Sequence, residues 1–199
     1  MFNTKSAVIT NTESNGNYMP AGINENVHLK EVNVNVSPTG LDFLEIVFEN
    51  KDGQTVSMSE WQNKKGLYTK TDEDLQRADD RQFGRLIQII NCFYPTIEDV
   101  ELNSFKEMIT WVKNKLDPMI ATQKELRLKA VFDKNNYVTV SKNGIFVEPM
   151  TVDKKDSQIK KFSRDNFERT IVADKETSND PLTGKSTPDT GKGADDLPF

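Results

Sequence analysis

Catalysis would need nucleophiles, general bases or metal ligands at workable spacing, and this sequence supplies few. His28 is the single histidine and Cys92 the single cysteine. His28 falls inside a strand pattern, where a histidine is far more often structural than catalytic. Cys92 lies on the apolar side of a helical pattern and reads as core. One residue of each type cannot provide zinc-ligand spacing. Gly184-Lys185 lacks the glycine-and-strand context of a phosphate-binding loop. Asp72, Glu73, Asp74, Asp79 and Asp80 could suggest a two-metal nuclease. The first three, however, open a helix, where the dipole favours negative charge, and Glu73 is spaced to pair with Arg77. The expectation is a protein that is not an enzyme, with no metal site and no cofactor.

Non-covalent chemistry is better represented. A single nucleic-acid strand is held by cations that meet phosphates and by aromatic faces that stack on bases. Trp61, Tyr68 and Tyr137 could stack, with Lys64, Lys65, Lys70, Arg127, Lys129 and Lys142 interleaved as phosphate contacts. These nine residues are the expected DNA-binding set. Phe43 and Phe146 are further strand aromatics that read first as core, and Lys134 is a further cation. Residues 64–70, with Tyr68 among lysines, look like a finger that follows a strand of DNA. Arg127 and Lys129 alternate with Leu126 and Leu128, so they are expected to point outward while the leucines fill the interior. Arg77, Arg81 and Arg85 recur every four residues and read as a solvated helix face with salt bridges.

The elements that must position these residues follow from periodicity. From Asn26 the pattern has period two: Val27 and Leu29 share one parity, and Val32, Val34 and Val36 the other. The switch near Lys30-Glu31 predicts a β-bulge in a long, bent strand. Pro38-Thr39-Gly40 is a turn. Residues 41–49 form a second strand, Asp52-Gly53 a hairpin, and residues 54–61 a third strand. The period then becomes helical through Leu75, Ala78, Gln82, Leu86, Ile89, Ile90 and Phe93, with Thr71 or Asp72 as N-cap and Pro95 beyond the end. A second helix opens at the capping box Ser104 to Glu107, with Pro118 expected to close it. Strands return over residues 126–132 and 137–142. Asn143-Gly144 then predicts a type I′ turn into residues 145–148. Residues 151–173 are charged and fit either an extra strand or a short helix.

Three strands, a helical insertion, then further strands is the order of the oligonucleotide/oligosaccharide-binding (OB) barrel. The expected fold class is therefore mainly β, a five-stranded OB barrel with two helices between the third and fourth strands. Other small all-β barrels fit the same count. The expected organisation is an N-terminal arm at 1–22 and a barrel domain at 23–150. A charged extension at 151–173 and a disordered acidic tail at 174–199 follow. Tyr18-Met19-Pro20-Ala21-Gly22 should clasp the domain. The net charge of −5 argues against nucleic-acid binding if spread evenly, but it is not. From Asp174 onward six acids and three bases carry −3 of it, leaving a nearly neutral body. One cysteine, no signal-peptide pattern and no apolar run of membrane length predict a soluble, cytosolic protein.

The chain finishes Asp195-Asp196-Leu197-Pro198-Phe199, a pair of acids and an apolar anchor after a segment too polar to fold alone. This order resembles the C-terminal tip of bacterial single-stranded-DNA-binding proteins (SSB). With the arm, barrel and polar linker, the whole chain looks like a bacteriophage-type single-stranded-DNA-binding protein. Only the tip maps residue by residue. The resemblance implies that Phe199 fills a pocket on replication, recombination and repair enzymes while its carboxylate meets a basic residue. Pro198 would shape the turn, and Asp195 and Asp196 would add rim contacts. It also implies that the acidic tail competes with DNA for the basic groove, that homo-oligomers form in many such proteins, and a host-cytoplasm location. Two functions are weighed: a protein that coats single-stranded DNA and recruits those enzymes, and an adaptor whose barrel binds protein while its tail reaches SSB-binding enzymes.

Overall fold

A computed structural model describes residues 17–170. The expected N-terminal arm lies outside the described residues up to position 16, and so do positions 171–199 with the acidic tip. The first strand, β1 (Gly22–Val36), organises the rest. Its beginning pairs with β4 (Leu126–Phe132) and its later part with β2 (Asp42–Glu49), all antiparallel. It serves two neighbours because it bends. The register slips between Asn24 and Val27, where Asn26 adopts φ 55°, and again between Leu29 and Glu31. The second slip is the bulge expected from the parity switch. It lets Val27 and Leu29, then Val32, all face the core. The strand starts four residues earlier than Asn26. Asn24 and Glu25 are poor strand formers, but pairing with β4 outweighs that preference.

The turn after β1 closes with Gly40 at φ 78°, and β2 returns through Gly53 at φ 75° into β3 (Thr55–Trp61). Asn50 Oδ1 accepts from the backbone N–H groups of Asp52 and Gln54 and fixes that hairpin. Strand alternation then buries Leu44, Ile46 and Phe48 on β2 and Val56, Met58 and Glu60 on β3. The expected clasp is present: residues 17–19 run parallel to the start of β3. Met19 N–H donates to Thr55 O at 2.9 Å, and the Met19 side chain is buried.

The sheet order is β3-β2-β1-β4-β5, with β5 at Val138–Val140. The outer strands of that order face each other. Thr139 Oγ1 donates to Ser57 O at 3.0 Å, and Lys142 Nζ to Ser59 O at 3.1 Å. Side chains thus bridge a seam that no backbone ladder crosses, and the five strands form a nearly closed antiparallel barrel.

A last strand, β6 (Val147–Pro149), pairs with β4, not with β5. The two short strands share one edge of β4. The changeover is Lys129, whose N–H donates to Phe146 O while its C=O accepts from Ser141 N–H. This corrects the expected type I′ hairpin at Asn143-Gly144. Residues between Ser141 and Phe146 leave the sheet, and a hairpin would leave β4 without its second partner. Gly144 keeps φ 61°, and a Cβ there would sit 2.5 Å from Cε2 of Phe162. Gly144→Ala is therefore expected to lower stability by about 1–2 kcal/mol through backbone strain and the ring contact. An unchanged melting temperature would contradict this.

Between β3 and β4 stand α1 (Asp72–Asn91) and α2 (Phe105–Ile120). Thr71 caps α1 in a reciprocal box with Asp74, and Ser104 Oγ caps α2 by accepting from Glu107 N–H. Leu86, Ile89 and Ile90 of α1 and Met108, Ile109, Val112 and Leu116 of α2 join the barrel residues in one apolar cluster. Pro118 does not close α2, which continues to Ile120. Its missing N–H deprives only the Asn114 carbonyl, on an exposed residue of the helix.

After β6 the chain forms no further strand among the described residues, and of the short helix considered above only a single turn. Apart from a 3₁₀ turn (Lys154–Asp156) it is irregular as far as Thr170, and residues to Arg169 belong to the compact unit that holds the barrel. It crosses the outer face of β4: Phe132 N–H donates to Asn166 O at 2.7 Å, and Ile159 is buried. No helix among the described residues is long and apolar enough to cross a membrane.

Candidate nucleic-acid interface

Alternation along β3 turns Val56, Met58 and Glu60 inward, so Trp61 must face out. It lies opposite Phe43 of β2, and the two rings stack with centroids 4.3 Å apart and planes 15° from parallel. The Trp61 side of this pair remains 42% exposed. Phe43 is half-buried and acts as backing to the indole. Farther along the outer face of β2 the charge becomes unfavourable for phosphate. Glu45 is half-exposed, and Glu49 accepts from Lys30 at 2.7 Å and lies 3.3 Å from His28.

Beyond Trp61 the chain makes a tight finger. Gly66 N–H donates to Thr69 O at 3.0 Å and Thr69 N–H to Gly66 O at 3.3 Å, which leaves Leu67 and Tyr68 at the tip. Tyr68 is 92% exposed. Lys64, Lys65 and Lys70 are exposed around it, Lys65 pairing with Asp72 at 2.6 Å. Asn63 donates to Asp79 and Gln82 and anchors the base of the finger to α1. Trp61, Lys64, Lys65, Tyr68 and Lys70 are therefore brought together at one end of β3.

Lys142 joins them from the other side of the seam. Its ammonium lies 3.1 Å from Ser59 O and 3.3 Å from Glu60. Glu60 is a buried carboxylate that also accepts from Arg85 Nε and Nη2 and from Gln82. Burial pushes its carboxyl up, but Arg85, Lys142 and Gln82 outweigh that and hold it below the usual range. Tyr137, 70% exposed, follows an Asx turn in which Asp133 accepts from the N–H groups of Asn135 and Tyr137. Tyr18 is equally exposed, and it flanks Thr55 at the start of β3. Sequence reasoning read the clasp only as packing and missed it. The signal was the buried Met19 next in line, which in extended backbone turns Tyr18 outward.

Arg127 and Lys129 require a correction. Both point away from the barrel interior, as expected, but neither meets solvent. Arg127 ion-pairs with Glu148 and, at 3.3 Å, with Glu25. Lys129 is fully buried and donates to Asp165 at 2.7 Å, Lys160 O at 2.8 Å and Asn143 O at 2.9 Å. The reason lies in the cover that crosses β4, which makes those outward positions a second, polar interior. Burial pushes the Asp165 carboxyl up, but Lys129, Asn143, the Phe162 N–H and Ser141 together hold it at about 2. Phe146 is likewise fully buried in the core.

Four of the five carboxylates considered for catalysis take structural places, and the pair expected between Glu73 and Arg77 is made by Asp74 instead. Asp74 caps α1, Asp72 pairs with Lys65, Asp79 accepts from Asn63 and Asp80 from Gln76. Burial pushes the Cys92 thiol up to about 12. Among the described residues no group of three or more His, Cys, Asp or Glu side chains is placed to hold a metal ion. No protein-family model matches the sequence, and no curated protein matches it significantly.

Proposed function

We propose that the chain is a non-catalytic OB-fold protein that coats single-stranded DNA with little sequence preference. It then recruits replication, recombination and repair enzymes through Asp195, Asp196, Leu197, Pro198 and Phe199. The OB assignment rests on the order of elements: a bent first strand shared by both halves, a helical insertion between β3 and β4, and a seam between β3 and β5. The observation that carries the function is the exposed aromatic and cationic cluster at one end of β3. Trp61, held flat by Phe43, and Tyr68 offer faces for bases, and Lys64, Lys65, Lys70 and Lys142 offer charges for phosphates. Arg127 and Lys129 have no part in this surface, because their charges are spent internally. The recruiting tip rests on its resemblance to SSB tips, and with it the bacteriophage-type reading and the host-cytoplasm location.

The test is a titration of the full chain against fluorescein-labelled oligo(dT) at several salt concentrations. Binding should weaken with salt with a log–log slope of about −0.7 per phosphate contact. Unlabelled oligo(dC) and oligo(dA) should compete within an order of magnitude of oligo(dT). Absence of binding at low salt would sink the coating reading and leave the adaptor in its place.

A further inference from the structure

Beside Lys142 a cleft of about 730 Å³ opens between α1, the segment joining β5 to β6, and residues 157–162. Four cations line it, Arg81 and Arg85 from α1 with Lys142 and Lys160, and no carboxylate does. Arg85 and Lys142 share one buried partner, Glu60. Arg81 and Lys160 have no ion-pair partner among the described residues. Four positive charges against the one Glu60 carboxylate leave three uncompensated at this wall. The arginine stripe of α1 is therefore more than a solvated face with internal salt bridges. Arg77 fits that description through its 2.7 Å pair with Asp74, but Arg81 and Arg85 face the cleft.

Two further features suit a polyanion with bases. Gly84 lies on the exposed side of α1 between the two arginines, and a Cβ there would meet nothing within 4 Å. Glycine is unfavourable inside a helix, and packing does not demand it here; its effect is an open cleft floor. Phe162, 43% exposed, forms an apolar wall. The surroundings also select a direction. The outer face of β2 carries Glu45 and Glu49, and the depression on the other side of α1 is lined by Asp79 and Asp80. From Trp61 the cationic route continues at Lys142 into the cleft.

We propose that this cleft is a second segment of the DNA-binding surface. It takes backbone phosphates of the strand leaving the Trp61 cluster on Arg81, Arg85, Lys142 and Lys160, with a base against Phe162. The proposal rests on the single-stranded-DNA reading above. The probes are the full chain and an oligo(dT) series of increasing length. Arg81→Glu with Lys160→Glu changes only residues without ion-pair partners, so melting should match the wild type. Long oligomers should bind about 25-fold or more weaker at about 0.1 M salt, and the salt slope should shrink by about 1.4, from two lost contacts. The shortest oligomers that bind should be unaffected. Gly84→Leu, which fills the floor without altering charge, should also weaken only the long oligomers. Wild-type affinity and slope in both variants at every length would overturn the proposal. So would a double variant that keeps its DNA affinity but loses binding of a synthetic Asp195-Asp196-Leu197-Pro198-Phe199 peptide, which would make the cleft a peptide site. Wild-type chain that binds no oligomer would reject the parent reading, and this one with it.

Discussion

Asp165→Ala is expected to cost about 3–5 kcal/mol of folding stability, read as a lower denaturation midpoint in urea at neutral pH. The substitution leaves the Lys129 ammonium fully buried with only two carbonyls, Asn143 O and Lys160 O, as acceptors. It also strands the donors that converge on the same carboxylate, namely Ser141 Oγ, Asn143 Nδ2 and the Phe162 N–H. An uncompensated buried charge costs more than the pair contributes when intact, so Lys129→Met with Asp165→Leu should recover part of the loss. Acid provides an independent check. The carboxyl is held at about 2 against an ordinary 3.8, so the folded state binds this proton less readily than the unfolded state. Its contribution is fully present above the unfolded value and is lost as pH falls from about 4 towards 2, on the order of 2 kcal/mol. Asp165→Ala should flatten the stability profile in that window. If Lys129→Ala instead left stability intact and weakened DNA binding, the lysine would be a phosphate contact and the buried-pair account would be wrong.

That pair marks where sequence reasoning ran out. Alternation over residues 126–132 correctly separates two faces of β4, but it cannot say what lies above the outer one. The cover is supplied by an irregular stretch with isolated Phe162 and Ile159, which has no period to detect. Asn143-Gly144 misled for a related reason. Local turn preference is weak against β4, which offers one edge to two short strands. Features written locally were legible: the parity switch in β1, the capping residues Thr71 and Ser104, and the hairpin glycine Gly53. The finger over residues 64–70 was legible because lysines surround its aromatic. The cationic cleft was not, since its residues come from positions 81, 85, 142 and 160 and only the folded seam between β3 and β5 brings Lys142 beside α1.

Trp61→Ala should weaken oligo(dT) binding by about 1–3 kcal/mol, roughly five- to 150-fold in Kd, with no change in fold. The indole is at the end of β3 and half open to solvent, so its removal empties no core cavity. Its value to a base lies in its posture. Phe43 stacks behind it at 4.3 Å, which would fix the plane before DNA arrives and reduce the ordering cost of binding. Phe43→Ala should therefore weaken binding less than Trp61→Ala, because the ring stays but loses its backing. Trp61→Phe should keep most of the affinity. Stacking involves no counterion, so Trp61→Ala should leave the salt slope unchanged, whereas Lys64→Ala with Lys65→Ala should reduce it by about 1.4. This split between affinity and slope distinguishes a base platform from a residue that merely supports the lysine finger. A chain that binds oligo(dT) with wild-type affinity after Trp61→Ala would remove the indole from the interface, and the aromatic role would pass to Tyr68 and Tyr137.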